Sequence, residues 1–120
     1  MKQSKIIEAY KMLDSFSDNS TLSYSVLWDL YQLKKSLQIH MDFFNSQLEL
    51  IRNKYISFAD ENGNISGEPY QNYLNDIAQL GDMDKDVSSI LKPTIKLSEF
   101  PGITMKTMDA IGDFVNFEKE

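Results

Sequence analysis

Apolar residues recur at helical spacing through most of the chain. From Ser4 to Phe16, Ile6, Ile7, Ala9, Tyr10, Leu13 and Phe16 fall mostly three and four apart, the stripe of an amphipathic helix. Side-chain oxygens of Ser15, Ser17, Asp18, Asn19, Ser20 and Thr21 compete with the helical ladder, so a loop is expected there, with a second helix starting near Ser23 or Ser25. That second helix is the strongest pattern in the chain. Val26, Leu30, Leu33, Leu37, then His40 or Met41, then Phe44, Leu48, Ile51, Tyr55 and Phe58 repeat at about 3.56 residues. Neither Gly nor Pro interrupts the run from Ser25 to Ala59. Such a rod is roughly 50 Å long, whereas a compact chain of this size has a radius of gyration of about 14 Å. The rod must therefore protrude, bend, or be covered by more than the first helix, which matches about a third of its length. A bend would fall at the stutter between His40 and Phe44, although no Pro or Gly supplies a cause. The rest of the stripe is left to the C-terminal segments or to a second copy of the chain.

Asp60, Glu61, Asn62, Gly63 and Asn64 stop the rod, with Asn62-Gly63 suited to a positive-φ turn. Gly67, Glu68 and Pro69 open a third helix bearing Tyr70, Tyr73, Leu74, Ile77 and Leu80 on one face, with Gly81 as its stop. Val87 to Leu91 and Thr94 to Leu97 are β-capable runs around Lys92-Pro93, and a ribbon formed there must lie on the helices to be stable. Phe100, Pro101 and Gly102 turn the chain. Thr104 is suited to cap a fourth helix whose face is Met108, Ile111, Phe114 and Val115, and the tail Asn116 to Glu120 is expected to fray. The predicted fold is mainly α and forms one domain over residues 1–120. Its long helix pairs antiparallel with the shorter N-terminal helix. A small β-ribbon and two short C-terminal helices pack on the exposed part of the rod.

Composition narrows the picture. With 120 residues, 42% of them hydrophobic, 25% charged and none of them Cys, the chain suits one soluble core and not a collagen-like, disulfide-stapled or disordered class. The lack of Cys removes thiol nucleophiles and cysteine metal sites and fits a reducing compartment. No apolar run suggests a signal segment or a membrane span, so a cytoplasmic protein without membrane contact is expected.

Charge is unevenly placed. Residues 1–59 hold seven basic and six acidic side chains, whereas residues 60–120 hold five basic and twelve acidic ones, so the acidity sits in the second half. Between Asp60 and Asp86, seven acids face one base, Lys85. A partner that is basic at its contact surface is expected, and direct binding to nucleic acid is disfavoured because only Lys34 and Lys35 cluster. The alternative for the same acids is a solvated loop.

Most chemistry lacks its residues. His40 is the one histidine, set on the apolar stripe, and reads as a partly buried structural residue. No G-x-S-x-G occurs, and the five glycines are scattered, so neither an activated serine nor a phosphate cradle is indicated. Asp82-x-Asp84-x-Asp86 alternates like a calcium loop, but Val87 stands where Gly is needed and Pro93 where Glu is needed. The chain is therefore read as having no enzymatic activity, cofactor or metal. Tyr24, Trp28, Tyr31, Phe43 and Phe44, with Met105 and Met108, belong either to the core or to a partner-binding face. Because Leu27, Tyr31 and Phe43 lie off the main stripe, the rod is either central in the fold or covered by another subunit.

One family pattern suggests itself. Phe58, Ala59, Asp60, Glu61, Asn62, Gly63, Asn64 and Ile65 end a long helix, and Ile95, Lys96, Leu97, Ser98, Glu99 and Phe100 follow a short one. Thr104 then opens a helix with Met108, Asp109, Ala110, Ile111, Phe114 and Val115. Over roughly residues 44–117 this resembles small helical proteins of unknown function encoded by bacteriophages and prophages. The resemblance implies a viral or mobile-element source, no catalytic residue, and action by binding a host or defence protein. The expected function is thus non-enzymatic protein binding, with Asp60, Glu61, Asp82, Asp84, Asp86, Met105 and Met108 as candidate partner-binding residues. Two alternatives stand beside it. One is an acidic inhibitor that imitates nucleic-acid charge to block a nuclease or defence complex, and the other is a structural helical oligomer in a viral assembly.

Overall fold

The structure, a computed structural model, describes residues 1–16, 18 and 21–119. Ser17, Asn19 and Ser20 of the expected first loop, and Glu120 of the tail, lie outside the described residues. Helix α1 spans Gln3–Asp14, and α2 spans Tyr24–Tyr55 and ends in a 3-10 turn at Ile56–Phe58. Helix α3 covers Gly67–Asp82, strand β1 Thr94–Lys96, helix α4 Met105–Ile111 and strand β2 Asn116–Glu118. The fold is mainly helical, with one long helix, a two-stranded sheet and short helices near the C-terminus.

Local chemistry explains the helix starts. Ser23 caps α2 by accepting from the Val26 N–H at 3.3 Å, and Thr104 caps α4 by accepting from the Thr107 N–H at 3.1 Å. The α2 ladder runs without a break through His40 to Phe44, so the stutter in the stripe produces no bend. At its far end Gly63 adopts φ +80°, and Asp60 Oδ1 accepts from the N–H groups of Asn62 and Asn64 at 2.8 and 2.9 Å, which fixes the reversal. Helix α3 runs one residue past Gly81, which lies beside Ser4 of α1.

Helix α1 is the hub, lying against α2, α3 and α4. Its buried Ile6, Ala9 and Leu13 join Val26, Leu30, Leu33 and Leu37 of α2, and Ile95, Ile111 and Phe114 close the same core. Each fully buried side chain of this size contributes about 1.5–3 kcal/mol. The expected packing of the C-terminal elements on the free part of the rod is corrected here. The sheet and α4 bury their side chains with α1 and the first half of α2, and α3 alone runs back along the second half. Beyond Leu37, Tyr55 is the one fully buried hydrophobic residue of α2, and Leu80 that of α3. This α2–α3 arm stretches the molecule to 55 × 30 × 21 Å, with a radius of gyration of 17.7 Å against about 14 Å for a compact chain.

The small sheet differs from expectation. Thr94–Lys96 forms a strand, but its partner is Asn116–Glu118, in parallel register with Ile95 opposite Phe117. Val87 to Leu91 does not pair, because Asp86 Oδ1 accepts from the Ser88 N–H and Oγ at 2.9 and 2.6 Å and bends that segment into a turn. The tail does not fray at Asn116 to Glu118. Buried Phe114 and Val115 anchor it, the Asn116 N–H donates to the Pro93 carbonyl at 2.8 Å, and residues 97–115 supply the long crossover that parallel strands need. A second tie joins the chain's beginning to its middle. Lys2 and Asp84 form an antiparallel bridge, flanked by the Gln3 N–H to Met83 O and Lys85 N–H to Met1 O bonds, both 2.8 Å.

Two stability predictions follow from these contacts. Ile95→Ala should cost about 2–5 kcal/mol in urea unfolding, since Ile95 is 1% exposed beneath the parallel pair. Gln3 is fully buried, and neither its Oε1 nor its Nε2 has a partner among the described residues, so Gln3→Met should raise stability by about 1 kcal/mol.

Candidate partner-binding surfaces

The acids expected to act together are held apart. Asp60 and Glu61 are at the tip of the arm, before α3 begins, whereas Asp82 is the last residue of α3 and Asp84 and Asp86 follow it. Sixteen helical residues separate the groups by roughly 24 Å, more than twice the Debye length of about 8–10 Å, so they do not form one field. The second group is also interleaved with positive charge. Lys2 Nζ lies 3.5 Å from Asp82, Lys85 falls between Asp84 and Asp86, and the Met1 ammonium donates to the Lys85 carbonyl at 3.1 Å. The Ser88 hydroxyl and N–H hold the Asp86 carboxyl below its ordinary pKa of 3.8. All five acids are exposed, and of these Asp60 and Asp86 have local structural roles as turn formers. On α4, Met105 is 77% exposed, but Met108 is half-buried.

The exposed large apolar side chains of α2 and α3 include Ile39 and Leu50 further along α2, and two surfaces gather several of the others together. The first is a ridge on the first half of α2, where Tyr24, Trp28 and Tyr31 are 91%, 58% and 49% exposed. Their spacing of four and three aligns them on one side of the helix. Trp28 and Tyr31 stack at 5.7 Å between centroids, and Lys35 Nζ sits 5.6 Å from the Tyr31 ring. Beside the ridge is a cleft of about 340 Å³ between α1 and α2, lined by Leu13, Phe16, Leu27, Leu30, Tyr31 and Lys34. Lys34 is fixed at its rim by Asp14, 2.7 Å away, and this hydrogen bond raises the lysine pKa. The second surface is on the arm, where Ile56, Tyr70, Tyr73 and Ile65 surround a cup of about 380 Å³ with Arg52 at its edge.

Asp76 accepts from the Tyr55 hydroxyl at 2.7 Å and pairs with Lys54 at 3.1 Å, tying α3 to the end of α2. His40 is half-buried, and desolvation, with the Lys85 charge second, pushes its pKa below 6.5. Lys85 itself lies 3.9 Å above the Phe43 ring, which accounts for that aromatic residue off the main stripe. Among the described residues no three His, Asp or Glu side chains gather in a way that would hold a metal ion, and no helix is long and apolar enough to cross a membrane.

Comparison with protein-family models, with curated proteins and with solved structures gives no match. The aromatic ridge is the feature that residue types alone did not single out, since Tyr24, Trp28 and Tyr31 suit core and surface equally. Its signal is the i, i+4, i+7 spacing on a side of α2 away from the Val26–Leu37 stripe.

The Tyr55–Asp76–Lys54 link makes a pH prediction. The Tyr55 hydrogen bond first, and Lys54 second, lower the Asp76 pKa below 3.8. A depressed carboxylate pKa favours the fold at every pH above the unfolded value, and this contribution disappears as pH falls through the folded value. Wild-type Tm should therefore fall on acidification below about pH 4, and Asp76→Asn, which keeps an acceptor for Tyr55, should flatten that slope in thermal melts.

Proposed function

We propose that this chain is a non-enzymatic protein-binding module whose contact surface is the Tyr24–Trp28–Tyr31 ridge and the cleft beside it. The observation that carries this reading is the exposure of three aligned aromatic rings on a helix whose buried stripe is already filled. Rings left in water add little to the chain beyond the Trp28–Tyr31 stack, whereas Trp and Tyr at the centre of a contact supply much of the affinity in protein interfaces. An apolar side chain of the partner would enter the cleft between α1 and α2, with Trp28 and Tyr31 covering it. A partner basic at its contact surface is drawn by the chain's net charge of −6 and can set a cation on the exposed Tyr24 ring, whereas Lys34 and Lys35 at the edge of the ridge leave apolar contact to supply the affinity. Charge speeds encounter here and apolar burial holds the complex. The separation of the two acidic groups gives no support to a charge-mimicking inhibitor. The resemblance of residues 44–117 to phage and prophage proteins is what supports a mobile-element source, and with it a setting in the host cytoplasm.

Affinity capture from lysate of the source cells, with wild-type and Trp28→Ala baits in parallel, tests the reading. The captured protein should lose at least about tenfold in affinity for Trp28→Ala, a hot-spot effect above 1.4 kcal/mol. The melting curve should stay within about 0.5 kcal/mol of wild type, as expected at a surface position. A partner retained equally by both baits would remove the ridge from the interface.

A further inference from the structure

We infer that two copies of this chain pair through the outer face of α2, antiparallel about a two-fold axis at Ile39, with Lys35 of each copy set against the partner's Asp42. The pair covers the aromatic ridge and so competes with the partner proposed above. That competition rests on the ridge being the contact surface, whereas the pairing itself does not.

The side of α2 turned away from its buried stripe has a repeat of its own. Trp28, Ile39 and Leu50 stand about eleven residues apart, three helical turns, and so do Tyr31, Asp42 and Asn53. Such a period stays nearly in line on a straight helix, so the face follows the rod without winding away from a neighbour. All six are exposed, Ile39 and Leu50 at 71% and 61%. Around the helix axis Trp28, Ile39 and Leu50 fall within about 40° of one another. Tyr24, Tyr31, Lys35, Asp42 and Glu49, all exposed, occupy the adjoining sector of about the same width. A two-fold axis perpendicular to α2 brings each sector onto its own copy, apolar on apolar and charged on charged.

Charge fixes the occupant and its direction. The charged residues of this face are Lys35, Asp42 and Glu49. With Ile39 opposite the partner's Ile39, Trp28 comes opposite the partner's Leu50, and Lys35 comes within about one residue of the partner's Asp42, each contact occurring twice. Glu49 comes near the partner's Tyr31, whose hydroxyl can donate to it. Within the chain Gln38 donates to Asp42 Oδ1 at 3.0 Å and the Lys35 ammonium rests over the Tyr31 ring, so both charges are held at the face. A parallel pair would set Lys35 against Lys35 and Asp42 against Asp42. A uniformly basic or uniformly acidic partner would meet a like charge at Lys35 or at Asp42. Asp29, Lys34, Arg52 and Lys54 stand about 90–110° from the centre of the face, outside the contact. The two lysines among them are already paired with Asp14 and Asp76. The apolar side chains of the face expose roughly 750 Å² per copy, most of it from the three aromatic rings. This exceeds the ~600 Å² per partner at the lower end of stable interfaces. Net charges of −6 on both copies oppose the contact, so the dimer is weak and reversible.

Sedimentation velocity of the purified chain from about 5 to 500 µM at about 150 mM salt tests it. The wild-type mass should rise from 13.9 kDa towards twice that value as concentration increases. Ile39→Glu, at an exposed position where the fold is not at risk, should weaken association at least about tenfold by setting two carboxylates together on the axis. Lys35→Glu and Asp42→Lys should each weaken it about tenfold, because each sets like charges together twice. Mixed one to one, these two variants should associate with each other at least as strongly as wild type does with itself, since each supplies the charge that the other lacks. A wild-type mass of 13.9 kDa across the whole range would overturn the inference and leave the ridge to the proposed partner. Association undiminished in Ile39→Glu, or no recovery in the mixture, would overturn it as well. All three variants keep Tyr24, Trp28 and Tyr31, so partner capture by them reads the proposed function separately.

Discussion

A helix of 32 residues beside one of 12 sets the terms for everything else in this molecule. The apolar stripe of α2 continues for roughly 48 Å, and α1 covers only its first part. Two solutions coexist along the one rod. Around Val26 to Leu37 the chain builds a closed core, using α1 as the hub and the parallel strands with α4 as the lid. Further along, α3 is the main cover, with Lys85 over Phe43, and the stripe passes from fully buried side chains to half-buried ones such as Phe44, Leu48 and Ile51. The body is thus stabilised by dense apolar packing, and the arm by a thin seam of rings and the Tyr55–Asp76–Lys54 link.

What the sequence made legible is what depends on near neighbours. The rod, the Ser23 and Thr104 caps, the Asn62-Gly63 reversal and the third helix each follow from residues within a few positions, and each is present. The errors concern pairing across distance. Thr94 to Lys96 reads as a strand, but nothing local says that its partner lies beyond α4, and Asn116 to Glu118 is too short to announce itself. Val87 to Leu91 has β-forming residues, yet the Asp86 side chain bonds to Ser88 and turns the backbone first.

The same distinction governs the candidate sites. Counting acids between Asp60 and Asp86 suggests one negative patch, whereas α3 moves the two groups apart and folding carries Lys2 across to Asp82. Residue type says that Trp28, Tyr31, Tyr70 and Leu74 favour burial. Whether anything lies over them depends on the width of each helix face relative to its neighbours, which only the assembled fold reveals. Surface function here resides in the mismatch between apolar arcs and the helices available to cover them.

The bridge between Lys2 and Asp84 has a consequence for how the protein is made. Helix α1 leaves the ribosome well before its partners: Met83 and Lys85, bonded to Gln3 and Met1, emerge eighty or more residues later, and Ile111 and Phe114 later still. At about 5–20 residues per second, the nascent chain spends several seconds with α1 covered by α2 alone. The hub is thus made before the elements that complete its cover, and until they arrive its apolar sides towards α3 and α4 are open to whatever holds newborn chains.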